Sequence, residues 1–226
     1  MPMTGAEFGR KSSLEATLRR RIISMEIAPG SVVDELSLGH EFGLSRPPVR
    51  EIMRTLAVEG YIVLEQNRPA RVTAMNYQAL HSFFLAAPLI YTAVSLLAAT
   101  HATKEQLQEL KNIQQHLRQS MVSNDTNARV YYNNQFHYMI GVMSYNDYLL
   151  ASLQRLLIDH ARLAHTFYSA QSALGHKEDM DKAIAHHDQI ITAIENRDSQ
   201  KVEQLVREHW ELSRQHLMEY VIPDEA

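Results

Sequence analysis

Cysteine is absent from all 226 residues. That excludes disulfides, a thiolate nucleophile, iron–sulfur clusters and cysteine-based zinc sites, and it fits a reducing compartment. The N-terminal segment MPMTGAEFGRKSSLEATLRRR holds no apolar run of signal-peptide length. No 18-residue apolar stretch is read further on, so the expectation is a soluble, cytoplasmic protein with no membrane partner. Helix breakers are scarce in only one part of the chain. Six of the eight glycines and five of the seven prolines precede Asn76, and the rest holds only Gly141, Gly175, Pro88 and Pro223. Apolar residues at 45% and charged residues at 21% exclude disorder and collagen-like architecture.

Charge and histidine divide at the same place. Residues 1–75 carry 10 Lys and Arg against 9 Asp and Glu, whereas residues 76–226 carry 12 against 17. Eleven of the twelve histidines fall in the second part. The net charge of −4 thus conceals a front segment that is not acidic. A chain of this length accommodates two small domains. The expected fold is mainly α: a turn-rich front domain over 1–75 and an all-α antiparallel helical bundle over 76–226.

In the front domain, Ser13 can cap a helix from Leu14 to about Glu26, with Leu14, Leu18, Ile22 and Ile23 on one face. Ala28-Pro29-Gly30-Ser31 ends it in a turn. Asp34 can cap a second helix from Glu35 to Phe42, closed by Gly43. Ser45 caps a third, which carries prolines 47 and 48 in its first turn, faces Val49, Ile52, Met53 and Leu56 inward, and stops at Gly60. Tyr61–Leu64 and Arg71–Thr73 read as two short strands around a polar tip. Three helices followed by a β-hairpin is the winged helix-turn-helix pattern.

Arg46, Arg50 and Arg54 recur every four residues and therefore share the outer face of the third helix. Arg46 and Arg50 lie in its first two turns, the part of a recognition helix that reaches base edges, and arginine suits bidentate contact with guanine. Arg68 and Arg71 on the hairpin, with Arg19–Arg21 on the first helix, would contact phosphate or the minor groove. The alternative is an ordinary solvated helix face. The Gly turn before Ser45 and the basic hairpin after the helix favour a reader of double-stranded DNA.

The run PGSVVDELSLGHEFGLSRPPVREIMRTLAVEGYIV, residues 29–63, resembles the DNA-binding domain of the GntR family of bacterial transcription regulators. The matching positions are Pro29, Gly30, Glu35, Leu38, Gly43, Ser45, Arg46, Pro48, Val49, Arg50, Leu56, Glu59 and Gly60. The resemblance implies operator contacts from Ser45, Arg46 and Arg50, with Gln66, Asn67 and Arg68 at the wing tip. Gly39 stands where Ala is common, a harmless change if the position needs only a small side chain. Pro69 occupies a wing position often held by Gly.

The rear domain reads as helices near 76–100, 103–122, 125–145, 147–172, 179–196 and 199–220. Thr103-Lys104-Glu105-Gln106 is a capping-box signature, and Asn196-Arg197-Asp198 marks a turn. His40, His81, His101, His116 and His176 read as surface or boundary residues. His137 lies four residues after Asn133, on the same helix face, while His187 and His209 fall on the last two helices. Three imidazoles and one oxygen donor on facing helices can converge on a divalent cation. Spacing alone leaves core or surface histidines as the other account.

Asn133-Asn134-Gln135-Phe136-His137, with Ser144, Asn146 and Leu149 downstream, is similar to the Asp-x-x-Phe-His…Asn-x-x-Leu pattern of the FCD effector domain. So is His187-Asp188-Gln189-Ile190, followed by Asp198 and His209. That domain marks the FadR-like branch of the GntR family, here in a six-helix form. The resemblance implies a homodimeric, ligand-responsive regulator, a repressor, whose rear domain binds a small organic acid through a metal. Asn133, His137, His187 and His209 would be the metal positions, with zinc or nickel as the ion. Asn133 stands where the pattern has Asp, and a neutral amide is the weaker ligand. Where relatives carry an Arg-x-x-Leu-Glu segment, this chain reads Pro88-Leu89-Ile90-Tyr91. Arg162 is the substitute for holding the effector carboxylate, with an ordinary interhelix salt bridge as the other reading. Two further functions are the alternatives: a regulator for which the metal is itself the signal, and a helical metal-dependent hydrolase suggested by His187-Asp188.

Overall fold

The structure, a computed structural model, describes residues 5–174 and 177–221. His176 lies outside the described residues. The chain divides into two compact units, Met1–Ala79 and Leu80–Ala226.

The front unit contains α1 (Gly5–Ile23), α2 (Glu35–Phe42), α3 (Arg46–Glu59), β1 (Ile62–Val63) and β2 (Arg71–Val72). α1 starts well before Ser13, the cap expected from sequence, because residues upstream of it continue the helix. Its Leu14, Leu18 and Ile22 are fully buried and recur every four residues, so they form the stripe that packs on α2 and α3. Asp34 caps α2 as expected, accepting from the Leu36 and Ser37 backbone N–H groups. Gly43 closes it with φ 61°, in the left-handed region. Val49, Ile52, Met53 and Leu56 complete the core. β1 and β2 pair antiparallel, Ile62 opposite Val72. Val32 adds a bridge to Arg71, so the segment after the Pro29-Gly30 turn extends the small sheet, which the sequence reading missed.

Gly39 is more constrained than its family comparison implied. A Cβ at this position would lie 2.9 Å from the Leu44 carbonyl oxygen, closer than real Cβ contacts come. The Leu44 N–H donates to the Gly39 carbonyl at 2.9 Å, which draws the α2–α3 turn tight around the glycine. Gly39→Ala is therefore expected to cost about 1–3 kcal/mol, since the obstacle is backbone and cannot rotate away. Urea unfolding of the variant against the parent measures this, and an unchanged midpoint would show that the turn relaxes freely.

The rear unit is built from α4 (Tyr77–His101), α5 (Lys104–Val122), α6 (Thr126–Met143), α7 (Asp147–Leu174), α8 (Lys177–Glu195) and α9 (Ser199–Val221). These follow the expected segments closely, because polar caps such as Thr103, Asp125 and Asp198 mark their starts. Thr103 and Gln106 form the capping box in both directions. α6 packs along α5 and α7, and α8 along α9. Arg197, in the left-handed conformation, donates to the Ala99 and Ala102 carbonyls and so closes the end of α4. His40, His81, His101 and His116 are exposed, as expected.

One expectation is corrected. The segment Tyr77–His101 has no Asp, Glu, Lys or Arg, and with an 18-residue window of mean hydropathy 1.9 it is long and apolar enough to cross a membrane by length and composition. Scattered Ser, Thr and His residues interrupt the apolar run, but the Leu, Ile, Val, Phe and Ala around them outweigh their polarity. Its Leu80, Phe83, Ala87, Tyr91, Val94 and Ala98 are buried at helical spacing, the pattern of a bundle core helix.

Candidate functional site

On the front unit, Ser45, Arg46, Arg50 and Arg54 are all exposed along α3. Ser45 sits at the N-cap with extended backbone but makes no side-chain capping bond, so its hydroxyl is not committed to the helix. Arg50 Nε donates to Glu35 at 3.2 Å across the α2–α3 junction. Arg46 and Arg54 have no ion-pair partner among the described residues. At the wing, Gln66, Asn67 and Arg68 are exposed, Asn67 with φ 59° at the turn and Arg68 donating to Glu65. Arg71 uses one guanidinium N–H to hold the Gly30 carbonyl at 2.9 Å.

The three arginines of α1 are placed differently from the phosphate contacts expected of them. Arg19 pairs with Glu15 and Glu59, Arg20 with Glu26, and Arg21 with Glu41. They tie α1 to its neighbours, and their charge is largely matched by carboxylates.

The rear unit gathers its functional side chains in the interior of the bundle. His137 on α6, His187 on α8 and His209 on α9 are buried, and one nitrogen of each lies within 4.8 Å of the others. His187 Nε2 and His209 Nε2 are 3.2 Å apart. Phe136 stacks on the His187 ring at 3.8 Å and 7°, which fixes the plane of that imidazole. His137 Nε2 is buried and has no hydrogen-bond partner. Burial keeps these rings uncharged, because desolvation disfavours the imidazolium. It holds His209 down to about 3 and His137 and His187 well below the ordinary range, with neighbouring imidazoles adding to the effect.

Asn133, one turn before His137, is also buried and lines a cavity of about 600 Å³, counting its open mouth. His160, His187 and His209 line the same cavity. A smaller one of about 350 Å³ is lined by Tyr91, His137, His160, His209 and Trp210. Arg162 is not among the residues lining either cavity. It is fully buried and donates to Asp159 at 3.0 Å, a pair within α7 and not the bridge between helices that was its alternative reading.

Two residues of this region were missed in the sequence. His160, pushed down to about 4 by burial, has its Nδ1 2.5 Å from the Tyr91 hydroxyl. Gln114 reaches His187 Nδ1 at 3.1 Å. Each is a polar residue on an otherwise apolar stripe, Leu153/Leu157/His160/Ala164 on α7 and Leu107/Leu110/Gln114/Leu117 on α5. That pattern was legible. His187 and Asp188, the pair behind the hydrolase reading, diverge: Asp188 turns out to Arg118 and Gln114.

A winged helix-turn-helix with an exposed arginine row, followed by a helical domain with an internal histidine-bearing cavity, defines a DNA-binding transcription regulator with an effector domain. Residues 10–72 match the family described as bacterial regulatory proteins, gntR family, and residues 90–212 match the FCD domain. The chain belongs to the GntR family, in the branch that carries an FCD domain, whose members are regulators and not enzymes. It is 23% identical over 192 residues to the HTH-type transcriptional repressor RspR of Escherichia coli, covering 85% of this chain and 82% of that one. It is 26% identical over 182 residues to the gluconate operon transcriptional repressor of Bacillus licheniformis, covering 80% and 74%. Among solved structures, Escherichia coli McbR/YncC shares the fold with a TM-score of 0.80 at 17% identity, over 97% of this chain and 100% of that one. A GntR regulator of Rhodococcus sp. RHA1 does so with a TM-score of 0.73 at 16% identity, over 94% and 99%.

Proposed function

We propose that the protein is a dimeric cytoplasmic repressor that leaves its operator when a small organic acid enters the histidine site, through a divalent metal held there. The observation carrying this reading is the convergence of three buried, neutral imidazoles with His137 Nε2 lacking a partner. Uncharged imidazole is the form that binds late first-row cations. The residues fit such an ion: donors bonded at 2.0–2.1 Å to one tetrahedral centre lie about 3.3 Å apart, close to the His187–His209 separation. Zinc or nickel would be held by His137, His187 and His209, with Asn133 as a weak oxygen partner, and would supply the charge that attracts a carboxylate. Arg162 would reach such an effector only by releasing Asp159.

Dimerisation is supported by Leu85 and Leu89, which lie one turn apart on α4 and are 62% and 71% exposed in the isolated chain. One winged domain covers too little DNA for a tight specific site, and a two-fold axis supplies the second half-site. Sedimentation at micromolar concentration is expected to find a dimer.

The test of the metal is elemental analysis of untagged protein together with thermal shift. Zinc or nickel is expected to raise the melting temperature, and small carboxylates to raise it further. If no metal co-purifies and neither ion moves the transition, the histidines meet the effector directly or pack the core. Operator titration with and without EDTA separates a metal that carries the effector from a metal that is the signal.

The α3 assignment has its own test. Arg46→Ala and Arg50→Ala are each expected to cost about 1–3 kcal/mol of discrimination between operator and mismatched sequences. Arg71→Ala is expected to weaken all DNA alike and lower the salt slope by about 1. Unchanged discrimination in both α3 variants would remove the helix from base readout.

A further inference from the structure

We propose that Gln114 and Tyr91 hold His187 and His160 in opposite tautomers, so that the cavity presents a bare imidazole nitrogen on one side and an N–H donor for a carboxylate on the other. The tautomers follow from the hydrogen-bond partners alone. The placement of a metal and an organic acid on them rests on the function proposed above.

Gln114 decides the first. Its side-chain nitrogen donates to the Ile184 carbonyl and to Asp188 Oδ1, both at 3.1 Å. Neither partner can donate, so the amide is fixed in one orientation and both of its N–H groups are used. Gln114 Oε1 is then left facing His187 Nδ1 at 3.1 Å. An amide oxygen only accepts, so Nδ1 carries the proton and Nε2 is bare. That bare nitrogen is the one directed at His209. Orienting a ligating histidine through its other ring nitrogen is the usual role of such a partner.

Tyr91 decides the second. Its hydroxyl is buried, and among the described residues its polar partner is His160 Nδ1 at 2.5 Å. If Nδ1 carried the proton, the phenol hydrogen would be buried with no acceptor. The phenol therefore donates to Nδ1, and the His160 proton sits on Nε2. His160 lines both cavities, and Nε2–H is the ring group left to face them. A neutral N–H donor suits an anionic oxygen, so His160, and not Arg162, is assigned the effector carboxylate. Burial pushes the Tyr91 phenol up, which keeps its proton in place for this bond.

Long-range proton–nitrogen NMR of the metal-free, full-length protein near neutral pH reads the tautomers directly. His187 is expected protonated at Nδ1 and His160 at Nε2, and the reverse form or an averaged signal at either ring overturns the assignment for it. Gln114→Leu is expected to lose the His187 preference and to weaken zinc, measured against a chelator, by about 10–100-fold. Gln114→Glu combined with Asp188→Asn keeps an acceptor toward His187 and is expected to restore both. Tyr91→Phe should leave zinc affinity unchanged while the His160 tautomers mix. Acetate is expected to shift the His160 Nε2 signal saturably in the parent and weakly in Tyr91→Phe; no shift in the parent overturns the carboxylate half. If the tautomers hold while zinc fails to bind the parent protein, the metal reading falls and the tautomer assignment stands.

Discussion

His187→Ala is expected to abolish metal binding in the rear domain, with affinity for zinc or nickel falling more than about 100-fold. Loss of an indirect partner already costs about 10–100-fold, and His187 is a direct donor whose ring plane and proton are both fixed by neighbours. His187→Leu serves as a packing control, because it keeps an apolar face against Phe136 while removing the lone pair. Both variants should lose the response to effector and retain operator affinity, since the winged domain has its own core. Asn133→Asp should act oppositely and tighten the metal by returning an anionic oxygen to the cavity. Isothermal titration with each ion reads these effects. Retained metal affinity in His187→Ala would place the ion elsewhere.

The largest stability effect is expected at Asp159. Arg162 is fully buried, and Asp159 is its carboxylate partner at 3.0 Å. Asp159→Ala withdraws one carboxylate from a fully buried guanidinium and is expected to cost about 1.5–3 kcal/mol. Arg162→Leu removes the charge with its partner's need for it and should cost clearly less. Trp210, the single tryptophan, lies in the rear unit and reports its unfolding by fluorescence. Equal losses in the two variants would mean that the guanidinium contributes by packing, not by its pairing.

Helix placement was legible where a boundary carries a local signal: Asp34, Thr103 and Gly43 cap backbone groups within a few residues of themselves, whereas the start of α1 has no such mark at Ser13. The arginine row was legible for the same reason, since a four-residue repeat fixes a shared helix face whatever the helix packs against. His137, His187 and His209 were found from a resemblance, not from spacing, because 22 residues between two helices say nothing of distance. Gln114 and His160 escaped although each interrupts an apolar stripe.

The sequence by itself determined the two-part division, most helix boundaries and faces, and the row of Arg46, Arg50 and Arg54 on one face of α3, all matters of short-range order. Only the tertiary structure decided which polar groups share an interior. It brought Gln114 from α5 and Phe136 from α6 against a histidine of α8, set Tyr91 of α4 on His160 of α7, and closed Arg162 away from the cavity. It also set Arg19–Arg21 against glutamates of the front unit. The physical reason is range. Capping and periodicity act within one or two helical turns, whereas a buried polar group must find its partner wherever packing puts one, and that partner has no fixed place in the sequence.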